Sequence, residues 1–165
     1  MRIASNPSLF SFVSDSKGSV RFVLGDGRIE LDRSSGGFDL VIVDAFSGDA
    51  IPTHLLTDEA IRLYVRRIAL HGLLAFNVSN RYFDLEPVLA RVAAQEGLSG
   101  VVRSDTTPTA EELDAGELPS TWVVIARSPD TLGSLTKSSG WEPIGGGAGA
   151  PLWTDDYTDL LATLR

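Results

Sequence analysis

The chain has 165 residues, with 14 Lys plus Arg against 22 Asp plus Glu, a net charge of -8 and no cysteine. That length and a 43% hydrophobic share describe one ordinary globular domain and exclude wholesale disorder. The acidity argues against nucleic acid or an anionic membrane as the main partner, and without cysteine there is no disulfide, thiol nucleophile or Cys-based zinc site.

In chain order, Val20 to Leu24 is a short β-branched and aromatic run that stops at the turn signal Gly25-Asp26-Gly27. Ile29 to Leu31 follows, and then a polar loop, Arg33 to Gly37. Leu40-Val41-Ile42-Val43 is apolar without alternation, as in a strand covered on both faces, and ends at Asp44. Ser47-Gly48-Asp49 and Pro52 keep the next stretch in a loop. Thr57 is an N-cap signal with Asp58 and Glu59 in the first turn, and Ile61, Tyr64, Val65 and Ile68 recur at helical spacing. Gly72 is the expected helix stop, which places His71 at a helix C-terminus. Leu73 to Val78 reads as a second buried strand, and Asp84 to Gln95 as a helix stopped by Gly97. Val101-Val102 is a weak strand and Trp122 to Ala126 a strong one. Residues 105–121 and 128–151 read as loop-rich, and Thr158 to Leu164 as a final helix.

Strands alternating with helices predict a single α/β domain over residues 1–165, with a core at about 18–127 and a mainly parallel sheet flanked by helices. No apolar run approaches the roughly 18 residues of a membrane helix, and the first residues lack a signal-peptide pattern. Two histidines are too few for a His-rich metal centre. The expectation is a soluble cytoplasmic chain that needs no metal.

Ligands of open α/β sheets collect outside the carboxyl ends of the strands. Three such ends carry polar residues: Gly25-Asp26-Gly27, Asp44 with Asp49, and Asn77 with Ser79 and Asn80. Gly-Asp-Gly is either a plain turn or a close backbone approach, with Asp26 accepting from an amino group or a ribose. Asp44 is either a helix cap or a carboxylate placed for acid–base work. His54 either carries a proton near Asp44 or packs on Pro52. Trp153-Thr154-Asp155-Asp156-Tyr157 is either a helix cap or an acidic, aromatic wall that favours amines. Gly145 to Gly149 lacks the Lys-Ser or Lys-Thr of a phosphate loop.

Several motifs, in order, resemble those of the spermidine synthase (polyamine aminopropyltransferase) family, above all its bacterial members fused to membrane transporter domains. They are Leu24 to Arg28, Phe38 to Phe46, Ile51 to Thr57, Ala75 to Asn80, Pro119 to Trp122 and Trp153 to Tyr157. The resemblance implies an incomplete Rossmann-like (methyltransferase-like) fold. It also implies transfer of an aminopropyl group from decarboxylated S-adenosylmethionine to a small cationic amine. By analogy Asp26, with Gly27 and Gly25, would hold the cofactor's adenine, and Asp44 would orient and deprotonate the amine. Asp49, His54, Asp155 and Asp156 would face the substrate. The family's glycine-rich cofactor loop has no counterpart, so the chain is expected to match the C-terminal part of the family's domain and to be impaired or inactive by itself. Two alternatives stand beside this: an S-adenosylmethionine-dependent small-molecule methyltransferase, and a non-catalytic oligomeric or regulatory module. In the family's sheet two further strands separate those expected at Val20 to Leu24 and at Leu40 to Asp44. Without them the two must pair directly or a second copy must fill the gap, so a homodimer or a rearranged sheet is expected. Membrane contact is expected only within a longer transporter fusion.

Overall fold

The computed structural model describes residue 3 and residues 6–45 and 51–165. They form a five-stranded sheet with helices on its faces. The strands are β1 (Phe38–Val43), β2 (Ile68–Asn77), β3 (Ser99–Asp105), β4 (Ser120–Ala126) and β5 (Glu142–Pro143), in the order β1-β2-β4-β3-β5. The helices are α1 (Gly27–Arg33), α2 (Asp58–Arg67), α3 (Glu86–Gln95), α4 (Ala110–Asp114) and α5 (Pro129–Leu132).

The sheet is less parallel than expected. Only β1 and β2 pair in parallel; β4 runs antiparallel to both β2 and β3, and β5 antiparallel to β3. The cause is the connection after β3. Residues 106–119 hold only the short α4, so the chain turns back and inserts β4 between two strands that themselves run the same way.

Alternation along β2 and β4 explains their unbroken apolar sequences. Leu74, Phe76, Val123 and Ile125 join α2, α3 and Trp153 in the main core. Ala75, Val124 and Ala126 point the other way, onto Val101 and Leu132. On β1 the same alternation is left half-covered: Val41 and Val43 belong to the main core, whereas Phe38, Leu40 and Ile42 are exposed.

Helix α2 starts as its sequence dictates, with Thr57 Oγ1 accepting from the Ala60 N–H at 3.3 Å. It ends at Arg67 rather than near Gly72, and His71 is an exposed residue of β2. Arg127, just past β4, donates to the carbonyls of Val65, Ile68 and Ala69 and so satisfies acceptors a longer helix would have used internally. Gly72 is needed for a different reason: a Cβ there would lie 2.6 Å from the Phe38 carbonyl oxygen, where the register between β1 and β2 shifts. Helix α3 begins at Glu86, with Pro87 in its first turn.

The loop-rich stretches contain more order than their sequences suggest. Thr109 and Glu112 form a reciprocal capping box on α4. Residues 128–151 hold α5, a 3-10 turn and β5. The glycine run serves packing on α3: a Cβ at Gly147 would fall 2.7 Å from the Ala90 backbone, and the Gly145 N–H donates to Glu86 at 3.0 Å. The expected final helix is a single 3-10 turn, Leu161–Thr163. Its backbone is claimed by residues 82–84, through Asp84 N to Thr163 O at 2.7 Å and Arg165 N to Tyr82 O at 3.0 Å. Val20 to Leu24 forms no strand; these residues are exposed and lack a ladder partner among the described residues. Among the described residues no helix is long and apolar enough to cross a membrane.

Candidate functional site

Two carboxylates mark the candidate site. Asp26 is the N-cap of α1: its Oδ1 accepts from the Ile29 N–H at 3.0 Å, and its Oδ2 lies 3.7 Å from His54 Nε2. The Ile29 N–H, with help from His54 and Arg28, holds the Asp26 carboxyl below the usual aspartate range. A carboxylate held ionised and reachable from solvent is an acceptor for an amino group. Next to it, the space a Gly27 side chain would fill is open, whereas a Cβ at Gly25 would meet Glu30 Cγ at 2.7 Å. Asp26, Arg28, Ile29, Asp32, His54 and Leu63 line a cavity of about 440 Å³. It is an open hollow in which half-exposed Ile29 adds apolar surface beside the acceptor, while Leu63 belongs to the core beneath.

Asp44 follows the last residue of β1 and is exposed. Its Oδ1 accepts from Asn77 Nδ2 at 3.0 Å, at the end of the neighbouring β2. The Asn77 amide is itself oriented, because its Oδ1 takes the Ser79 N–H at 3.1 Å and the Ser79 hydroxyl at 2.5 Å. Ser79 Oγ in turn accepts from the Thr121 N–H at 2.9 Å, which anchors the arrangement to β4. Asn77 therefore fixes one oxygen of Asp44, which is exposed overall. The adjacency that reveals this, Val43 beside Phe76 in the parallel ladder, is a tertiary fact.

Arg28 is the residue that sequence reading left without a role. Its two terminal nitrogens each lie 2.7 Å from an oxygen of Asp155, and Nη1 also donates to the His54 carbonyl at 2.9 Å. The Thr57 hydroxyl donates to Asp155 at 2.7 Å, and the Asp155 N–H donates to Glu59 at 3.0 Å. Arg28 lowers the Asp155 pKa, and Asp155 raises that of Arg28. This clamp ties α1, the turn around His54, the start of α2 and the 153–155 segment together. The Asp155 charge is thus matched by Arg28 rather than presented to a ligand. Trp153 is fully buried in the main core, while Asp156 is exposed. His54 faces Asp26. Asp49 lies outside the described residues. Among the described residues no group of three or more His, Cys, Asp or Glu is placed to hold a metal ion.

No known family profile and no curated protein matches the chain. Among solved structures, it is similar to a probable spermidine synthase from Corynebacterium glutamicum ATCC 13032, with a TM-score of 0.50 and 16% identity over 84% of this chain and 55% of that one. MnmC2 from Aquifex aeolicus aligns with a TM-score of 0.42 and 19% identity, over 72% of this chain and 36% of that one. The chain thus spans about half the length of the synthase structure it matches, at 55%. At 16% identity the likeness speaks to the fold alone, a Rossmann-like α/β sheet flanked by helices.

Proposed function

We propose that this chain is a spermidine synthase-like transferase domain that binds the adenosyl end of decarboxylated S-adenosylmethionine, or of S-adenosylmethionine, at Asp26 and presents Asp44 to a small amine. The observation that carries this is the pair of carboxylates on one Rossmann-like scaffold, one ionised beside an open hollow of about 440 Å³ and one held by Asn77. The described residues fit the base end of such a cosubstrate: Asp26 is an acceptor for an exocyclic amino group, and the exposed Ile29 side chain offers surface to a flat ring. When bound, the cosubstrate supplies an electrophilic carbon on a sulfonium. Asp44 holds an incoming ammonium by charge and takes its proton as the nitrogen becomes nucleophilic.

The chain by itself is catalytically impaired. Asp44 is exposed to water, which weakens every electrostatic contact that would favour a transition state. Calorimetry with decarboxylated S-adenosylmethionine, S-adenosylmethionine and methylthioadenosine tests the reading. All three share the adenosyl end, so each is expected to bind, and Asp26→Asn to weaken each about tenfold, the loss of one charge-assisted hydrogen bond. Residual putrescine-dependent turnover should disappear in Asp44→Asn and fall in Asn77→Ala with unchanged nucleoside affinity. Absence of heat with all three ligands would refute the proposal and leave a non-catalytic module.

A further inference from the structure

Strand β1 has two unmet needs. Its outer edge carries no hydrogen-bonded neighbour among the described residues, and the face bearing Phe38, Leu40 and Ile42 is open, with Ile42 56% exposed. An open apolar edge of this kind is a template for another strand. The same chain carries an unused strand-former. Val20, Phe22, Val23 and Leu24 are all exposed, Leu24 to 78%, in a segment without regular structure.

We infer that two copies of this chain pair by exchange, each laying Val20 to Leu24 along the β1 edge of the other in parallel. The register follows from the residues. Setting Val20 beside Phe38 places Phe22 beside Leu40 and Leu24 beside Ile42, all on the open face, and Val23 beside Val41 on the core face. The same alignment puts Arg21 beside Asp39, and neither makes an ion pair among the described residues. An antiparallel alignment centred on the same Phe22–Leu40 pair would set Arg21 against Val41 and Val23 against Asp39. Pairing β1 with β1 of a second copy leaves Asp39 without a cation. An antiparallel register that keeps Arg21 beside Asp39 sets Leu24 against Gly36 and Ile42 against Gly18, so only the parallel exchange satisfies the charge pair and covers Ile42 with an apolar side chain.

The segment comes from a second copy because its own copy holds it elsewhere. It leads directly into α1, which is tied to Asp155 through Arg28 and to the end of α2 through Asp32 and Arg67 at 2.8 Å, and in its own copy the segment has no ladder partner among the described residues. A two-fold exchange satisfies both edges and closes, so it does not propagate into fibres.

Light scattering at tens of micromolar should show a closed dimer. Since the chain has no cysteine, the double variant Phe22→Cys/Leu40→Cys carries the only thiols. Mild oxidation should link it covalently into dimers. Arg21→Asp should weaken the dimer about tenfold, and Arg21→Asp/Asp39→Arg should restore it, in keeping with cross-strand charge pairs. A monomer, open-ended aggregates, a disulfide closed within one chain, equal crosslinking by Leu40→Cys alone, or a dimer indifferent to Arg21→Asp would each overturn the inference. Because the readout is mass and crosslinking, it stands or falls independently of nucleoside binding.

Discussion

Residues 51–165 cover most of their apolar side chains, whereas residues 6–42 leave most of theirs exposed. In the first region Leu74, Phe76, Val123 and Ile125 alternate with Ala75, Val124 and Ala126, and both sets are covered. In the second, Leu9, Phe10, Phe12, Val20, Phe22, Leu24, Leu40 and Ile42 are exposed. The sequences of the two regions look alike in hydrophobicity. The difference is that burial of a strand residue depends on what lies across the sheet, which no local pattern contains. A chain of net charge -8 stays soluble with such a surface only if something covers it or its charge keeps copies from associating without order.

The comparison is sharpest in substitutions. Trp153→Ala should remove about 3–5 kcal/mol of stability in chemical denaturation, the cost of emptying a fully buried aromatic site. Phe22→Ala, measured at a dilution where the chain is monomeric, should stay within about 0.5 kcal/mol. Equal losses at the two positions would erase the distinction between the regions. Trp153→Phe should cost far less than Trp153→Ala, because the buried indole N–H has no hydrogen-bond partner to lose among the described residues.

A smaller effect is expected where the two regions are joined. Asp155→Asn breaks the two-point contact with Arg28, whose partners are partly exposed, and should cost about 1 kcal/mol. Its signature is local: faster amide hydrogen exchange in α1, with the exchange of β2 and β4 unchanged. Uniform acceleration across the sheet would show that the clamp supports the whole fold instead.

The smallest effects are those of pH, and they differ in sign. The pKa of Asp155 is held down chiefly by its hydrogen bond from Arg28. Its contribution is therefore complete above the unfolded aspartate value of about 4 and is lost as pH falls through the lower folded value. Asp58 behaves oppositely. It is buried at the start of α2, and desolvation raises its pKa despite Arg62 at 2.7 Å. The folded chain holds that proton more tightly than the unfolded one, so stability falls as pH rises through the raised value. Denaturation across the acid range should show the Asp155→Asn profile flattened on its acid side. An unchanged acid limb in that variant would remove Asp155 from the account.

Much of the scaffold was legible from residues alone. The apolar runs at Leu40 to Val43 and Trp122 to Ala126 lie in strands, as does Leu73 to Val78 up to Asn77, and the Thr57 cap opens a helix. Asp44 stands at the end of β1, as the acid after an apolar run suggested, whereas Asp26 opens α1 instead of closing a strand. Asn77 was visible as a polar strand end, but its role depends on β1 lying beside β2. Arg28 carried no signal of its role, since its partner Asp155 is 127 residues away in the chain.

Composition, charge and local pattern thus determined an acidic α/β chain, its main strands, and the acid that follows β1. These are properties of neighbouring residues, set by backbone geometry and by which side chains favour water. Tertiary structure alone decided that α2 stops at Arg67, that β4 enters between β2 and β3, and that the tail pairs with residues 82–84 instead of coiling. It also spent Asp155 on Arg28 and left one face of β1 bare. Each of these outcomes is a choice of partner for a backbone or charged group, made between residues far apart in the chain, where local propensity has no say.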